Sequence, residues 1–327
     1  MDFDLNDEQK EIKRVAKELL AARSSFAKVR DAAEAREYDG ALWQELRELG
    51  WPGIAVAEEH GGQGLGAVEL AVLLEELGYA CAATPYISTA VAAAVIQSAG
   101  TPEQQARWLP ELASGESTAA IGTADLMADG VGAAVAVMID GTDAYLIESP
   151  QAEALTTIDS TRRYATLTGD GEQLGPHAAA RIHAAIAAEV VGVCQRALDM
   201  TLEYVKDRKQ FGVPVGSFQA VSHRCAQMLL QTESARSTAY YAAWAADADP
   251  ERLMEGSALA AAAAADGGRE VTASAIQAHG GIGFTWEADV HWLYKRAQLD
   301  TAMLGGARRH REALARSAAD RVAASAR

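Results

Sequence analysis

The stretch that decides the fold is DRKQFGVPVGSFQ, residues 207–219. An Arg, a Gln and a Phe stand at the end of a long helical pattern, Gly and Pro residues then turn the chain, and a Phe-Gln pair follows. Gly and Pro at such spacing are typical of a tight turn. The sequence therefore places a guanidinium and two aromatic rings together on a turn between helices.

Helical periodicity extends on both sides of this turn. Residues 178–210 form one continuous helical pattern, about 50 Å long at 1.5 Å per residue, and residues 216–246 and 251–278 predict two more long helices. Long antiparallel helices joined by short loops are typical of a four-helix bundle. The Ala run in 258–268 is explained equally by close helix contact and by high helix propensity.

The first third of the chain also predicts helices, five or six in number. Asn6 with Gln9, and Thr101 with Gln104, have the spacing of capping boxes at the start of helices. Apolar residues recur behind these caps at helical spacing, and Gly50 is predicted to end a helix. These faces need partners to pack against, which indicates a folded helical domain.

Residues 118–175 have a different pattern. Segments 132–139, 144–148 and 164–169 are short runs rich in apolar residues between Gly, Asp and Pro turns, and such runs predict strands. The sequence therefore predicts a mostly α protein in three parts: an N-terminal helical domain at 1–117, a shortened β module at 118–175 and a C-terminal four-helix bundle at 176–327.

Composition argues against several classes of function. The chain has 327 residues, 49% of them hydrophobic, and a formal net charge of −16, which argues against nucleic-acid binding. Cys81, Cys194 and Cys225 have no disulfide or metal spacing. The acidic N-terminus lacks the pattern of a signal peptide, and no uninterrupted apolar run reaches about 18 residues. We therefore expect a soluble cytoplasmic protein with no membrane span.

Four motifs in order resemble those of the acyl-CoA dehydrogenases. They are GWPGIAVAEEHGGQGLGAVELAVLLEELG at 50–78, DSTRR at 159–163, DRKQFGVPVGSFQAVSHRCAQM at 207–228 and QAHGGIGFTWE at 277–287. The resemblance covers nearly the whole chain. It implies a fold of helical domain, β module and helical bundle, with FAD as the cofactor.

The resemblance also implies which residues hold the cofactor. In that family the diphosphate and adenosine of one subunit's FAD reach the helical bundle of a neighbour. The matching positions in this chain are Arg208, Phe211, Gln219, Gln277, Gly280 and Gly281. The residue types suit this role, because a guanidinium forks onto phosphate oxygens and glycines without Cβ let a phosphate approach the main chain.

Two features of the catalytic members are missing. The flavin-contacting V-T-E-P-x-x-G-S-D and W-I-T-N-G patterns do not occur, and the β module has about half the length that the resemblance implies. The family's catalytic carboxylate, which removes the proton α to the thioester carbonyl, corresponds here to Leu304 or, in a subset of members, to Ile182. The substrate-side Arg of that subset corresponds to His183. Both base positions are therefore apolar.

Other polar residues are weaker candidates for chemistry. Glu189 lies two helical turns beyond Ile182 and is interpreted as a structural contact or, less favourably, as a displaced base. We predict that Glu287 and Asp289 pair with Lys295 or Arg296. His279 and His291 lack metal-ligand spacing, so no metal site is predicted.

Together these features predict a companion subunit rather than a complete enzyme. The resemblance is to the shortened subunit of actinobacterial heteromeric α2β2 acyl-CoA dehydrogenases, in which a second dehydrogenase-like subunit is the partner and a bulky acyl-CoA, such as a steroid side-chain thioester, is the substrate. An electron-transferring flavoprotein is the partner that the family implies for electron transfer. Two alternatives stay open: a self-sufficient homomeric dehydrogenase with a displaced base, and a flavin-free scaffold.

Overall fold

The computed structural model describes residues 4–325, which form N-terminal helices, a small sheet and C-terminal helices in that order. The mostly α fold is confirmed. Residues 1–3 and 326–327, which the first and last predicted domains include, lie outside the described residues. The N-terminal helices are α1 (Asp7–Arg23), α2 (Phe26–Ala35), α3 (Gly40–Glu48), α4 (Ala67–Tyr79), α5 (Tyr86–Ala99) and α6 (Pro102–Ser114).

The helix caps form as their sequences predict. The Asn6 side chain accepts a hydrogen bond from the backbone N–H of Gln9, and the Gln9 side chain accepts one from the backbone N–H of Asn6. Thr101 and Gln104 form the same reciprocal pair at the start of α6. Both capping boxes are therefore confirmed, because they depend on local spacing alone.

The middle of the chain forms one seven-stranded sheet with the order β5-β6-β2-β1-β3-β4-β7. Its strands are β1 (Ala119–Thr123), β2 (Leu126–Ala128), β3 (Val135–Asp140), β4 (Asp143–Glu148), β5 (Gln151–Ala154), β6 (Tyr164–Thr168) and β7 (Glu172–Gln173). The prediction identified β3, β4 and β6 but missed the other four. Strand β1, AAIGT, has a sequence with weak strand propensity, and it forms because it is buried between β2 and β3.

The C-terminal part is built on one buried helix. Its helices are α7 (Ala178–Asp207), α8 (Gln219–Ala248), α9 (Pro250–His279), α10 (Val290–Met303) and α11 (Ala307–Ser325). Helix α7 is long and apolar enough to cross a membrane by length and composition, but 89% of its most apolar window is buried inside the protein. This burial is that of the core helix of a bundle, since α7 packs on α4, α8, α9 and α10.

The turn at 207–219 shortens the helices that the sequence predicts around it. Lys209–Gln210 and Val213–Pro214 pair as the short strands β8 and β9, so α7 ends at Asp207 rather than at residue 210. Residues Val215–Ser217 form a separate 3-10 turn, and α8 begins at Gln219 rather than at residue 216. The helical periodicity did not reveal this hairpin, because two-residue strands leave no periodic signal.

Helices α4 and α7 cross in backbone contact through two glycines. A Cβ on Gly192 of α7 would lie 1.8 Å from the carbonyl oxygen of Glu75, and one on Gly78 of α4 would lie 2.2 Å from that of Glu189. No side chain fits at either position without separating the helices. This contact fixes Glu189 of α7 at the junction between the two helical parts.

Replacing Gly192 by Ala should destabilise the protein by at least about 2 kcal/mol, because the added methyl group meets backbone atoms that cannot rotate away. Urea unfolding followed by circular dichroism would measure the change. Gly40→Ala is the matched control, since a Cβ there has nothing within 4 Å. Equal stability of the two variants would contradict the close crossing.

Candidate functional site

An open cleft of about 860 Å³ lies between the turn at 207–219 and the end of α9. Four of the six predicted cofactor residues line it: Arg208, Phe211, Gly280 and Gly281. Arg208 follows α7 directly, and its carbonyl accepts a hydrogen bond from the backbone N–H of Val215. The fold therefore brings together two motifs that are about 70 residues apart in the chain.

The cleft has the chemistry of an anion site at its base. Arg208 is exposed and has no ion pair within the described part of the chain. Helix α8 begins beside Arg208, and no side chain caps its first turn. The first backbone N–H groups of α8 therefore receive no hydrogen-bond acceptor from a capping side chain. A free guanidinium beside an uncapped helix start favours a phosphate or another oxyanion.

The two glycines leave open space on the opposite wall. Gly280 has φ 64° and ψ −141°, a conformation that strongly favours glycine, and a Cβ on Gly280 or Gly281 would meet nothing within 4 Å. A side chain at either position would project into space that a ligand could otherwise occupy. This wall therefore admits a close approach to the main chain.

Two phenylalanines form the apolar rim of the cleft. Phe211 adopts φ 52° and is 93% exposed, and its ring meets that of Phe218 edge to face at 6.3 Å. A left-handed conformation is unfavourable for a bulky residue, and so is the exposure of a whole aromatic ring to water. A turn that keeps both features presents the ring to a ligand or to another chain.

The remaining two predicted cofactor residues lie near the cleft but are not among its lining residues. Gln219 is the first residue of α8, and Gln277 is in the last turn of α9; both are exposed. Sequence reasoning missed the pair that forms the floor: the rings of Tyr204 and His279 stack at 4.4 Å, and both residues line the cleft. His279 lies inside the quoted QAHGG motif, which could have identified it.

The two positions that match the family's catalytic base are sealed inside the protein. Leu304 and Ile182 are both fully buried. Nearby, His183 and His310 meet edge to face at 5.1 Å, and burial together with His310 lowers the pKa of His183 to about 3. The imidazole of His183 is therefore neutral near neutral pH, and no carboxylate stands at either base position.

Glu189 belongs to a buried ionic network that the sequence did not reveal. Its carboxylate accepts hydrogen bonds from Arg162 and, at 2.8 Å, from Arg296. Arg162 also donates to Asp300 at 3.1 Å, and Arg296 donates to Asp159 at 2.8 Å. These five side chains, which we call the ionic network, are at most 5% exposed. They join the β module to α7 and α10.

The surroundings shift the pKa values of two carboxyl groups of the ionic network in opposite directions. Burial and the neighbouring Glu189 raise the pKa of Asp300 well above its ordinary value. Burial disfavours the charge of Asp159, but Arg296, Thr161 and Arg162 outweigh burial and hold its pKa below the ordinary value. Glu189 is buried and its carboxylate is engaged by the guanidiniums of Arg162 and Arg296, so it is not free to reach a substrate. This arrangement argues against catalysis by Glu189.

The predicted pairing of Asp289 is wrong. Asp289 accepts from Arg30 of α2 at 2.8 Å, because α10 begins against the N-terminal domain. Lys295 instead lies over the rings of Trp286 and Trp292, at 4.1 and 4.4 Å from the ring centroids. Glu287 lines the cleft described above. Within residues 4–325, no group of three His, Cys, Asp or Glu side chains could hold a metal ion.

Family models match both helical parts of the chain. Residues 6–116 match the acyl-CoA dehydrogenase N-terminal domain, and residues 178–319 match the acyl-CoA dehydrogenase C-terminal domain. The chain belongs to the acyl-CoA dehydrogenase family. It is 35% identical to acyl-CoA dehydrogenase IpdE2 of Mycolicibacterium smegmatis over 92% of this chain and 96% of that protein.

Solved structures of heteromeric complexes share the fold. The Tcur3481-Tcur3483 steroid acyl-CoA dehydrogenase, G363A variant, matches with a TM-score of 0.87 and 28% identity, over 97% of this chain and 99% of the matched chain. The ChsE4-ChsE5 complex from Mycobacterium tuberculosis matches with a TM-score of 0.87 and 25% identity, over 98% and 99%. The fold also occurs in PigA, which has been solved with FAD.

Proposed function

We propose that this chain is the shortened subunit of a heteromeric, FAD-dependent acyl-CoA dehydrogenase. Its C-terminal helices hold the diphosphate and adenosine of an FAD whose flavin ring lies on a catalytic partner. The observation that carries the proposal is a contrast: Arg208, Phe211, Gly280 and Gly281 converge on an open cleft, while both base positions are buried and apolar. This contrast supports a chain that binds part of the flavin cofactor and leaves proton abstraction to its partner.

The cleft fits the proposed part of the cofactor. The guanidinium of Arg208 and the start of α8 suit a diphosphate, and the glycine wall lets it approach the main chain. The stacked Tyr204 and His279 and the rim ring of Phe211 offer flat apolar faces to a nucleoside. When bound, FAD supplies a hydride acceptor for α,β-desaturation of an acyl-CoA.

The partner follows from the surface around the cleft. Phe211, Phe284 and Trp286 are 93%, 76% and 70% exposed, and all three belong to the segments that form the cleft or follow it directly. Exposed aromatic rings on this scale are typical of protein interfaces. Because two of the solved structures with this fold are complexes of two unlike chains, we assign this surface to a second dehydrogenase-like subunit in an α2β2 assembly.

The same proposal includes a substrate, an electron acceptor and a cellular location. The steroid name of one structural relative supports a bulky acyl-CoA, such as a steroid side-chain thioester, as the substrate of the complex. An electron-transferring flavoprotein is the proposed acceptor. A cytoplasmic location suits Cys81, Cys194 and Cys225, which are free thiols.

The proposal predicts one FAD per pair of unlike chains. Co-expression of this chain with a neighbouring dehydrogenase-like gene should give a yellow α2β2 complex with acyl-CoA dehydrogenase activity. The chain alone should be colourless or poorly soluble, because its half-site lacks a flavin platform. Native mass and the ratio of flavin absorbance to protein concentration measure both quantities.

Either of two other results would contradict the proposal and support an alternative. A homo-oligomer with one FAD per chain and full activity would show a self-sufficient dehydrogenase. A stable complex without flavin absorbance would show a scaffold that has kept only the fold.

A further inference from the structure

A second cavity lies between the end of α2 and the connection from β5 to β6. Its volume is about 330 Å³, which is in the range of small-molecule sites. Neither Arg208 nor the glycine wall contributes to it. The cavity therefore belongs neither to the cleft nor to the proposed FAD site.

Three arginines line this cavity in a strongly acidic protein: Arg36, Arg162 and Arg163. Within residues 4–325, Arg36 and Arg163 have no ion pair. The guanidinium of Arg163 lies over the ring of Tyr38 at 4.6 Å, which holds it in place without neutralising it. Two positive charges therefore remain unbalanced by a paired carboxylate at this position.

The acidic residues on the wall do not cancel these charges. Asp159 also lines the cavity, but its carboxylate is taken up by Arg296. Glu37 is exposed and stands next to Arg36, so it offsets one charge at most. Arg162 is itself occupied by Glu189 and Asp300. The charge left over on the lining is positive.

Buried polar atoms on the same wall lack hydrogen-bond partners. Arg162 is 5% exposed and its Nε has no acceptor, and Tyr164 is 1% exposed and its hydroxyl has no partner. The Nε of Arg163 is also buried without an acceptor. Because these three atoms are themselves buried, they do not face a ligand in the cavity. The donors available to a ligand are the unpaired guanidiniums of Arg36 and Arg163 on the lining, and an oxyanion supplies acceptor oxygens to both.

Part of the remaining lining is apolar. Val131, Leu155 and Ala35 line the cavity beside the hydroxyl-bearing Thr156, Thr157 and Ser160. A purely inorganic ion would leave this apolar surface in contact with water. The lining therefore matches a small molecule that has an anionic group at one end and an apolar body at the other.

We propose that this cavity binds a small organic anion, with its carboxylate or phosphate held by Arg36 and Arg163 and its apolar body against Val131 and Leu155. The site shares no lining residue with the cleft of the proposed FAD half-site. It is reached from solvent past Arg36, which is exposed at the end of α2.

Calorimetric titration of the full chain, or of its complex where the chain is purified only with its partner, tests the site. The probes are inorganic phosphate and butyrate at constant ionic strength, with butyramide as the uncharged control. We expect saturable binding of at least one anion, a rise in Tm that grows with its concentration, and no binding of butyramide. Stronger binding of phosphate assigns a phosphorylated ligand, and stronger binding of butyrate assigns a carboxylate.

Charge-removing variants locate the site. Arg36→Gln and Arg163→Gln should each weaken binding by about tenfold or more, since a hydrogen bond to a charged group is lost. Arg36 is exposed, so its replacement leaves the fold intact. Arg23→Gln is the matched control, because Arg23 pairs with Glu45 in the same domain outside the cavity. Absence of saturable binding for both anions, or binding that neither cavity variant weakens, would overturn the proposal.

Discussion

Arg296→Met is expected to lower the free energy of unfolding by about 3–5 kcal/mol, because it leaves buried carboxylates without their partner. Arg296 is fully buried and donates to Asp159, Glu189, Thr161 and the carbonyl of Ala82. Methionine fills a similar volume, so the loss comes from the charge and its hydrogen bonds rather than from a cavity. Urea unfolding followed by far-UV circular dichroism near pH 7 measures it.

Arg30→Met is the control for this prediction. Arg30 forms an ion pair with Asp289 at 2.8 Å, but its side chain is 40% exposed. Exposed pairs contribute at most about 1 kcal/mol. If the two Arg→Met variants lost the same stability, the ionic network would stabilise the contact of the β module with α7 and α10 no more than an exposed ion pair does.

The loss of stability caused by Arg296→Met should also become smaller as the pH falls. In the unaltered protein the pKa of Asp159 is lowered, so its contribution is present above the ordinary carboxyl pKa and is lost as the pH falls through the folded value. Without Arg296, burial should instead raise that pKa above its unfolded value, and protonation then relieves the penalty. The difference in free energy of unfolding between Arg296→Met and Arg30→Met should therefore become smaller as the pH falls from about 7 to about 4.

Arg208→Gln is expected to weaken FAD binding by the complex by about 10- to 100-fold, the effect of losing charge-assisted hydrogen bonds to a diphosphate. Arg208 lies at the base of the cleft and has no ion pair within the described residues. The Arg208→Gln substitution therefore breaks no ion pair among the described residues. Fluorescence titration of the flavin-free complex with FAD measures the dissociation constant directly, without an activity assay.

Lys209→Gln is the matched control, because Lys209 is the next residue along the chain, is exposed and is not among the residues that line the cleft. It removes the same charge from the same turn. Arg208→Lys should bind FAD with intermediate affinity, since it keeps the charge but not the forked geometry of a guanidinium. Unchanged FAD affinity in Arg208→Gln would reject the half-site.

Local sequence was sufficient for several elements. The capping boxes at Asn6 and Thr101 are formed as predicted, since each needs only residues three apart in the chain. The motif residues Arg208, Phe211, Gly280 and Gly281 line one cleft, and their binding of FAD stays a prediction. The strands were harder to predict, because β1 and β2 are short segments whose formation depends on their sheet neighbours.

Helical periodicity did not predict where α7 ends and α8 begins at the turn. The hairpin of β8 and β9 turns through Phe211 and Gly212, both with positive φ, and this interrupts the helical pattern within three residues. The exposure of Phe211 likewise cannot be read from sequence, where a phenylalanine favours a buried position. Only the folded chain shows that this ring faces outward.

The sequence by itself determined the family and the order of helices, sheet and helices, because motifs and helix caps act over short stretches of chain. The tertiary structure alone decided which charged side chains pair. Asp159, Glu189 and Arg296 are brought together across more than 100 residues of chain, and Asp289 pairs with Arg30 across 259 residues. Such pairs are selected by the packing of the whole fold, so no local pattern records them.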